Sequence, residues 1–193
     1  MDKLTKADLY TLEAYASERP AFRARVLAHK QARRVPVGAH VTLIFEDRLT
    51  IQYQVQEMLR VERIFEPAGI EEELAAYNPL IPDGSNLKAT MLIEYPDVEE
   101  RARRLVELHG IEHRVALSIG GERAAVAIAD EDMDRATQSK TSAVHFLRFE
   151  LDTARIAAFR RGEAVAIAID HPAYSARSEL GSATRAALVG DLD

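Results

Sequence analysis

The chain has 193 residues, of which 47% are hydrophobic and 29% are charged, as in an ordinary globular protein. It contains no cysteine, which excludes disulfides, thiolate catalysis and cysteine-ligated zinc or iron–sulfur centres. The net charge of -6 argues against general nucleic-acid binding. The sequence has neither an apolar core of signal length at its N-terminus nor an apolar run of about 18 residues, so we expect a cytoplasmic protein that does not enter a membrane.

Charge is unevenly distributed along the chain. Residues 19–45 contain basic side chains and no acid, whereas residues 46–73 contain eight acids and three bases. Opposite charges attract, so we expect these two regions to face each other within the fold or across a homodimer. The alternative is a basic helix that binds an anionic ligand or RNA, but neither interleaved aromatic residues nor a nucleic-acid motif supports it.

The N-terminal part is predicted to be helical. Thr5 and Asp8 have the spacing of a capping box, which predicts a short helix with Leu9, Leu12 and Tyr15 as its apolar positions. Ser17 and Pro20 suit the start of a second helix, because proline is favoured in the first turn. The buried side of that second helix is predicted to carry Phe22, Val26 and Leu27.

Further along, segments of alternating apolar and polar residues and the nearly all-apolar segment 164–169 indicate strands, and segments of helical period lie between them. The predicted strands are residues 39–46, 88–95, 115–119, 124–128, 144–151 and 164–169, and the predicted helices after residue 66 are 71–77, 97–110, 153–161 and 178–189. Residues 130–142 are predicted to form a loop or an irregular helix. Gly120 and Gly121 give the clearest hairpin signal. This order predicts an α+β fold with a mainly antiparallel sheet, as one domain over residues 1–193 with a helix-rich part at 1–80 and a sheet-rich part at 86–193.

Residues 43–65 are predicted to run from a strand through a charged turn into a long amphipathic helix. After the predicted strand, Thr50 can cap a helix that ends before Pro67. At 100° per residue, Glu62 lies about 20° from Ile51, in the middle of an apolar stripe. The other members of that stripe are Val55, Met58, Leu59 and Phe65. We expect Glu62 to be buried, and a buried carboxylate must be paired or protonated.

Glutamates and arginines around this helix are the candidate functional groups. Glu57 and Glu62 are the candidate catalytic acids or bases, because burial and close charges perturb carboxyl groups at functional sites. The candidate ligand-binding residues are Glu46, Asp47, Arg48, Gln56, Arg60 and Asn78. Carboxylates of this kind can hold a hard metal, and arginines can hold an anion. The alternative is that these charges only fix the packing or face solvent.

Other catalytic patterns are missing or explained more simply. The chain lacks Gly-x-Ser-x-Gly, Gly-x-Gly-x-x-Gly and P-loop motifs, so no cofactor or nucleotide is indicated. His145 shares a strand face with Leu147 and Phe149, which predicts a core histidine with a hydrogen-bond partner, a functional role being the alternative.

The pattern FEDRLTIQYQVQEMLRVERI, followed by YNPLIPDGSNLKATMLIEY, resembles a bacterial family of unknown function. Its members tend to be encoded near a rubrerythrin-like protein and an iron–sulfur protein similar to heterodisulfide reductase subunits. The resemblance implies no assigned activity, and it places the protein beside a redox or oxidative-stress system. The residues it marks are Phe45, Glu46, Asp47, Arg48, Gln56, Glu57, Met58, Arg60, Glu62, Asn78 and Pro82.

Two functions therefore stay open. The first is an accessory or binding protein, predicted to be a homodimer, that engages a redox partner or a small anionic ligand through residues 46–63. The second is a small enzyme that uses Glu57 or Glu62 as acid or base, with Arg48 or Arg60 holding an anionic substrate and with or without a metal. A closed cluster of these residues favours the first function, and a pocket that opens onto them favours the second.

Overall fold

The structure, a computed structural model, describes residues 2–131, 136–137 and 140–193, and it describes the side chains of all of these except residues 123 and 124. The α-helices of this part are α1 (Leu12–Gln31), α2 (Arg48–Val61), α3 (Pro67–Tyr77), α4 (Val98–Glu107), α5 (Thr153–Arg160) and α6 (Ser182–Val189). The strands are β1 (Arg34–Val37), β2 (Val41–Phe45), β3 (Asn86–Ile93), β4 (Val115–Ile119), β5 (Glu122–Val126), β6 (Ile128–Ala129), β7 (Val144–Glu150), β8 (Val165–His171) and β9 (Tyr174–Glu179).

The strands form two antiparallel sheets. The first has the order β1-β2-β3-β7-β6, and the second has the order β5-β4-β8-β9. With helices in addition to two antiparallel sheets, the fold is α+β, and the predicted fold class is confirmed.

The two sheets meet at both of their edges. Between β5 and β6 the chain passes from the second sheet to the first, and the N–H of Ala127 donates to the carbonyl of Val115 at 2.9 Å. At the other side, the Tyr174 hydroxyl of β9 donates to the carbonyl of Val37 in β1 at 2.6 Å. Gly38, with φ +74°, allows this approach, because a Cβ there would lie 2.6 Å from the tyrosine oxygen. One large apolar core therefore contains inward side chains of both sheets.

The first three helices enclose two smaller apolar clusters. Helix α2 packs against α1 on one side and against α3 on the other. Ile51, Val55 and Leu59 of α2 belong to the cluster shared with α3, and Phe22 and Val26 of α1 belong to the other cluster. Helix α2 is thus the middle element of the helical part.

Helix α1 differs from its prediction. Thr5 and Asp8 do form a capping box, but the turn they cap is a short 3-10 helix, Lys6–Asp8. One helix then runs through Ser17 and Pro20, so the predicted second start is wrong. Pro20 leaves one helical carbonyl without its N–H partner, and the aromatic packing of Phe22 against its neighbours holds the helix together. Phe22 and Val26 are buried as predicted, whereas Leu27 is 44% exposed.

The edge strands β1 and β9 were not predicted from the sequence. Strand β1 has only four residues and contains Pro36, and strand β9 is polar, so neither carries a clear strand signal in the sequence. Within the predicted loop at 130–142, residues 132–135 and 138–139 lie outside the described residues.

Candidate functional site

The turn from β2 into α2 places Asp47 at the start of the central helix. Its Oδ1 accepts a hydrogen bond from the N–H of Thr50 at 2.9 Å, and the Thr50 hydroxyl oxygen accepts one from the N–H of Asp47 at 2.9 Å. This reciprocal cap makes Asp47 the N-cap, so the helix begins at Arg48 and not after Thr50. One oxygen of the predicted ligand Asp47 is thereby used in the fold.

Arg33 lies at the centre of a buried charge cluster behind this turn. It is 2% exposed, and its guanidinium donates to the backbone carbonyls of Phe45 at 2.9 Å and Glu46 at 3.2 Å. It also pairs with Asp47 at 3.3 Å and with Asp191 near the C-terminus. Arg33 therefore ties the end of α1, the β2–α2 turn and the C-terminal segment together.

The two carboxylates that share Arg33 have opposite pKa shifts. Burial acts to raise the pKa of Asp47, but the Arg33 charge, the Thr50 N–H and His29, whose Nε2 lies 2.5 Å from Asp47 Oδ2, hold it below its usual value. Burial raises the pKa of Asp191 to about 6, and the charge of Arg33 opposes this only in part. Arg33 together with Thr50 and His29 thus outweighs the burial of Asp47, whereas Arg33 offsets the burial of Asp191 only in part.

Glu46, on the same turn, is also buried. Its Oε1 accepts a hydrogen bond from the Thr90 hydroxyl at 2.6 Å, and its Oε2 has no hydrogen-bond partner among the described residues. Glu46 is 2% exposed, so the structure holds it inside the fold and does not present it at the surface.

Glu57 is fully engaged by side chains of α1. Arg19 donates to both of its carboxylate oxygens, with distances of 2.7 and 2.8 Å, and the buried Tyr15 hydroxyl donates to it at 2.7 Å. The hydrogen bonds from Arg19, followed by that from Tyr15, lower the pKa of Glu57 to about 2, although partial burial acts in the other direction. A carboxylate with so low a pKa is a poor general base near neutral pH. Its contacts instead tie α2 to α1.

The two predicted anion-binding arginines already face carboxylates. Arg48 pairs with Asp8 at 2.6 Å, and Arg60 approaches Glu57 at 3.6 Å. Both arginines are more than a third exposed, so these pairs contribute little to the free energy of folding. They do lower the positive potential that an anion would meet.

The two predicted amides bind the backbone of the N-terminal segment. Gln56 accepts from the N–H of Tyr10 at 3.0 Å and donates to its carbonyl at 3.1 Å. Asn78 does the same for Leu4, at 2.8 and 2.9 Å. Each amide side chain satisfies the N–H and the carbonyl of one residue, as a neighbouring strand would in a sheet. The two amides therefore hold residues 4–10 against the helices.

The predicted burial of Glu62 is wrong. Helix α2 ends at Val61, and Glu62 is its C-cap and is exposed. The apolar stripe does not continue there, since Val61 is 62% and Phe65 is 67% exposed. The end of α2 extends past the cluster that covers Ile51, so burial no longer marks Glu62 as a catalytic residue.

A cavity of 320 Å³ lies between the N-terminal segment and the corner from α2 into α3. The residues that line it include Leu9, Leu12, Leu59, Ile64 and Phe65, together with the charged Lys6 and Glu13. Glu57, Arg48 and Arg60 are not among its lining residues. The cavity is thus mainly apolar, and it opens beside the predicted catalytic groups without reaching them.

The predictions from sequence understated one polar cluster, around His145. This side chain is fully buried, as predicted, and its Nδ1 lies 2.5 Å from Asp130 Oδ2. Its Nε2 lies 2.7 Å from the Thr141 hydroxyl, which donates to Glu112 at 3.0 Å. Because the four residues are separated by up to 33 positions in the chain, their contacts follow from the tertiary fold and not from spacing. The buried hydroxyl has no access to solvent, so this group ties β7 to the loops beside it.

The described part of the chain holds neither a metal-type cluster nor a membrane-spanning helix. Within residues 2–131, 136–137 and 140–193, no three His, Asp or Glu side chains are grouped as a metal site would require. Among the helices of that part, none combines the length and the apolar character needed to cross a bilayer.

Residues 3–192 match the family model described as protein of unknown function, DUF3501. The chain belongs to the DUF3501 family. A crystal structure of a protein from Burkholderia pseudomallei K96243, described as a novel protein of unknown function, matches it with a TM-score of 0.94 and 51% identity, over 100% of both chains. No curated protein matches the chain significantly.

The DUF3501 match agrees with the predicted membership of a family of unknown function, and it covers the central helix and both motifs. Neither the family description nor that of the Burkholderia protein names an activity or a ligand. The function of this DUF3501 protein has therefore to be inferred from the contacts of its residues.

Proposed function

We propose that this protein is a cytoplasmic accessory protein that acts by binding a redox protein, and that the polar residues of α2 stabilise its fold. The observation that carries the proposal is the engagement of Glu57. Both of its oxygens accept hydrogen bonds from Arg19, and one also accepts from Tyr15. A carboxylate that accepts three hydrogen bonds and has a pKa of about 2 is a poor catalytic base near neutral pH.

The other predicted site residues support the same proposal. Asp47 caps a helix, Gln56 and Asn78 hold backbone groups, and Arg48 is paired with Asp8. The nearby cavity is lined mainly by apolar side chains. Apolar surface of this kind suits a protein partner better than a small anion, because an anion needs unpaired donors.

The class of partner comes from the gene neighbourhood that the family resemblance implies. A chain without cysteine cannot ligate an iron–sulfur centre through thiolates or form a disulfide. It would therefore assist the redox chemistry of another protein. The candidates are the rubrerythrin-like protein and the iron–sulfur protein similar to heterodisulfide reductase subunits.

The test is a titration of the purified chain against each of these two proteins, measured by biolayer interferometry. We expect saturable binding to one of them, with a Kd that Glu57→Gln changes less than threefold, because Glu57 faces α1 and not the partner. Bovine serum albumin serves as the control protein. If neither protein binds at 50 µM, a concentration that we choose as the upper limit, the partner proposal is wrong.

A further inference from the structure

One lining residue of the 320 Å³ cavity and two residues close to its lining in sequence are glutamates without ion-pair partners in the described part of the chain. Glu13 lines the cavity, and Glu62 and Glu66 flank its lining residues Ile64 and Phe65 in sequence. The three glutamates are exposed, and none of them forms an ion pair within residues 2–131, 136–137 and 140–193. The cavity is thus an apolar recess with one charge of each sign, Lys6 and Glu13, in its lining and two further glutamates nearby in sequence.

The outer face of α1 has the opposite character. At 100° per residue, Ala16, Pro20, Arg23 and Leu27 lie within about 60° of each other, and all four are exposed. Leu27 is the large apolar side chain of this face, at 44% exposed. No ion pair of Arg23 with another described residue exists, so this narrow face presents one leucine beside an unpaired cation.

Helix geometry relates the leucine to the cavity. Leu12, which lines the cavity, falls about 20° from Arg23 on the helical wheel, so Leu12 and Leu27 lie on the same side of α1. The two leucines are 15 residues apart, which is about 22 Å along the axis. If two copies of α1 pack antiparallel about a two-fold axis between Arg19 and Pro20, each Leu27 comes opposite the Leu12 of the other copy.

From this arrangement we propose that the protein forms a two-fold dimer in which the outer face of α1 is the interface and Leu27 of each copy enters the cavity of the other. Pro20 lies next to the two-fold axis, and Ala16 of each copy faces Arg23 of the other, so a small side chain leaves room for a large one at this contact. Arg23 and Lys30 of one copy then lie within about one helical turn of Glu13 of the other, so opposite charges surround the apolar contact. A two-fold interface of this kind uses the same surface on both copies.

The first experiment is sedimentation velocity on the wild-type chain and on Leu27→Glu. We expect the wild type to sediment at twice the mass of the chain at 20 µM, our chosen concentration, and Leu27→Glu to sediment as a monomer, with at least a tenfold weaker dimer. Val98→Glu is the matched control, since Val98 is exposed at 66% on α4, and this variant stays dimeric. A monomeric wild type, or a Leu27→Glu variant as dimeric as the wild type, overturns the proposal.

A second experiment tests which residues of the two α1 helices face each other, and its expected result is the gain of a cross-link and not the loss of a dimer. The chain has no cysteine, so Ala16→Cys combined with Arg23→Cys introduces the two thiols of the molecule. Residues 16 and 23 are about 10.5 Å apart on one helix, too far for an internal disulfide, whereas the proposed register brings each opposite the other in the second copy. Mild oxidation then gives a covalent dimer. Ala16→Cys with Ala28→Cys, which lies off this face, is the control, and equal cross-linking of both pairs contradicts the register.

The dimer fills the same apolar cavity that supports the proposed function, and the two sets of experiments separate the outcomes. A monomer that binds the redox protein leaves that function in place and rejects the dimer. A dimer that binds neither redox protein supports the interface and rejects the function.

Discussion

At the scale of single residues, the charges that marked the central stretch as unusual are explained by pairing inside the fold. Glu57 is fixed by Arg19 and Tyr15, and Asp47 is fixed by Arg33 and by the backbone of Thr50. Crowded carboxylates and arginines therefore indicate here where α1 and α2 are held together. The same crowding occurs at catalytic sites, so the residue types alone do not separate the two cases.

Replacing Glu57 by Gln tests its structural role. We expect the free energy of unfolding at pH 7 to fall by about 1–2 kcal/mol, because the charge-assisted bonds from Arg19 are lost. The pKa of Glu57 is about 2 in the folded protein, below its ordinary value, so its contribution is present above about pH 4.5 and is lost as the pH falls towards 2. Urea unfolding should thus show a smaller difference between variant and wild type at pH 3 than at pH 7. The control is Glu179→Gln on the exposed side of β9, and an equal effect of both variants would contradict the account.

Asp191 should have the opposite pH dependence. Its pKa is raised to about 6, so the folded state binds a proton that the unfolded state has released between about pH 4 and 6. As the pH rises from about 4 to 6, the contribution of Asp191 to the free energy of unfolding therefore falls by up to roughly 3 kcal/mol. Asp191→Asn should remove that slope in urea titrations at pH 4, 5 and 6. A slope that is unchanged in the variant would mean that Asp191 is ionised throughout.

At the scale of elements, most of the sheet could be predicted, and the edges of the fold could not. Alternation located β2, β3 and β7, a nearly all-apolar run located β8, and the Gly120–Gly121 pair located the β4–β5 hairpin, where both glycines have positive φ. Strand β1 has only four residues and contains proline, and strand β9 is polar, as is common at sheet edges. The helical wheel placed Glu62 on the apolar side of α2. The buried cluster ends near Leu59, however, and a helical wheel carries no information about where a core ends along the helix axis.

The N-terminal segment is an element whose position depends on two amides. Gln56→Leu leaves the N–H and the carbonyl of Tyr10 without partners, so we expect the free energy of unfolding to fall by about 2 kcal/mol. Hydrogen exchange at the amide of Tyr10 should become faster by more than tenfold, because its N–H donates to the Gln56 side chain. Gln31→Leu at the exposed end of α1 is the control. Unchanged exchange in Gln56→Leu would show that other contacts hold the segment.

At the scale of the whole molecule, the buried polar groups join parts that are distant in sequence. Arg33 and Asp191 are 158 positions apart, and His145, Asp130 and Glu112 come from three different segments. Contacts of this kind depend on the tertiary arrangement of both sheets, which explains why they could not be derived from local patterns. They also show why residues 46–63 looked like a site: this stretch is where the helical part is fastened to the sheets.

The central claim is that Glu57 stabilises the fold and that neither Glu57 nor Arg60 holds a ligand or a metal. Native mass spectrometry of the purified protein, with metal analysis on the same sample, tests it most directly. We expect the mass of the polypeptide alone, as monomer or dimer, and the same bound species in wild type, Glu57→Gln and Arg60→Ala. A metal or a small molecule that is bound to the wild type and lost from either variant would contradict the claim and would favour an enzyme.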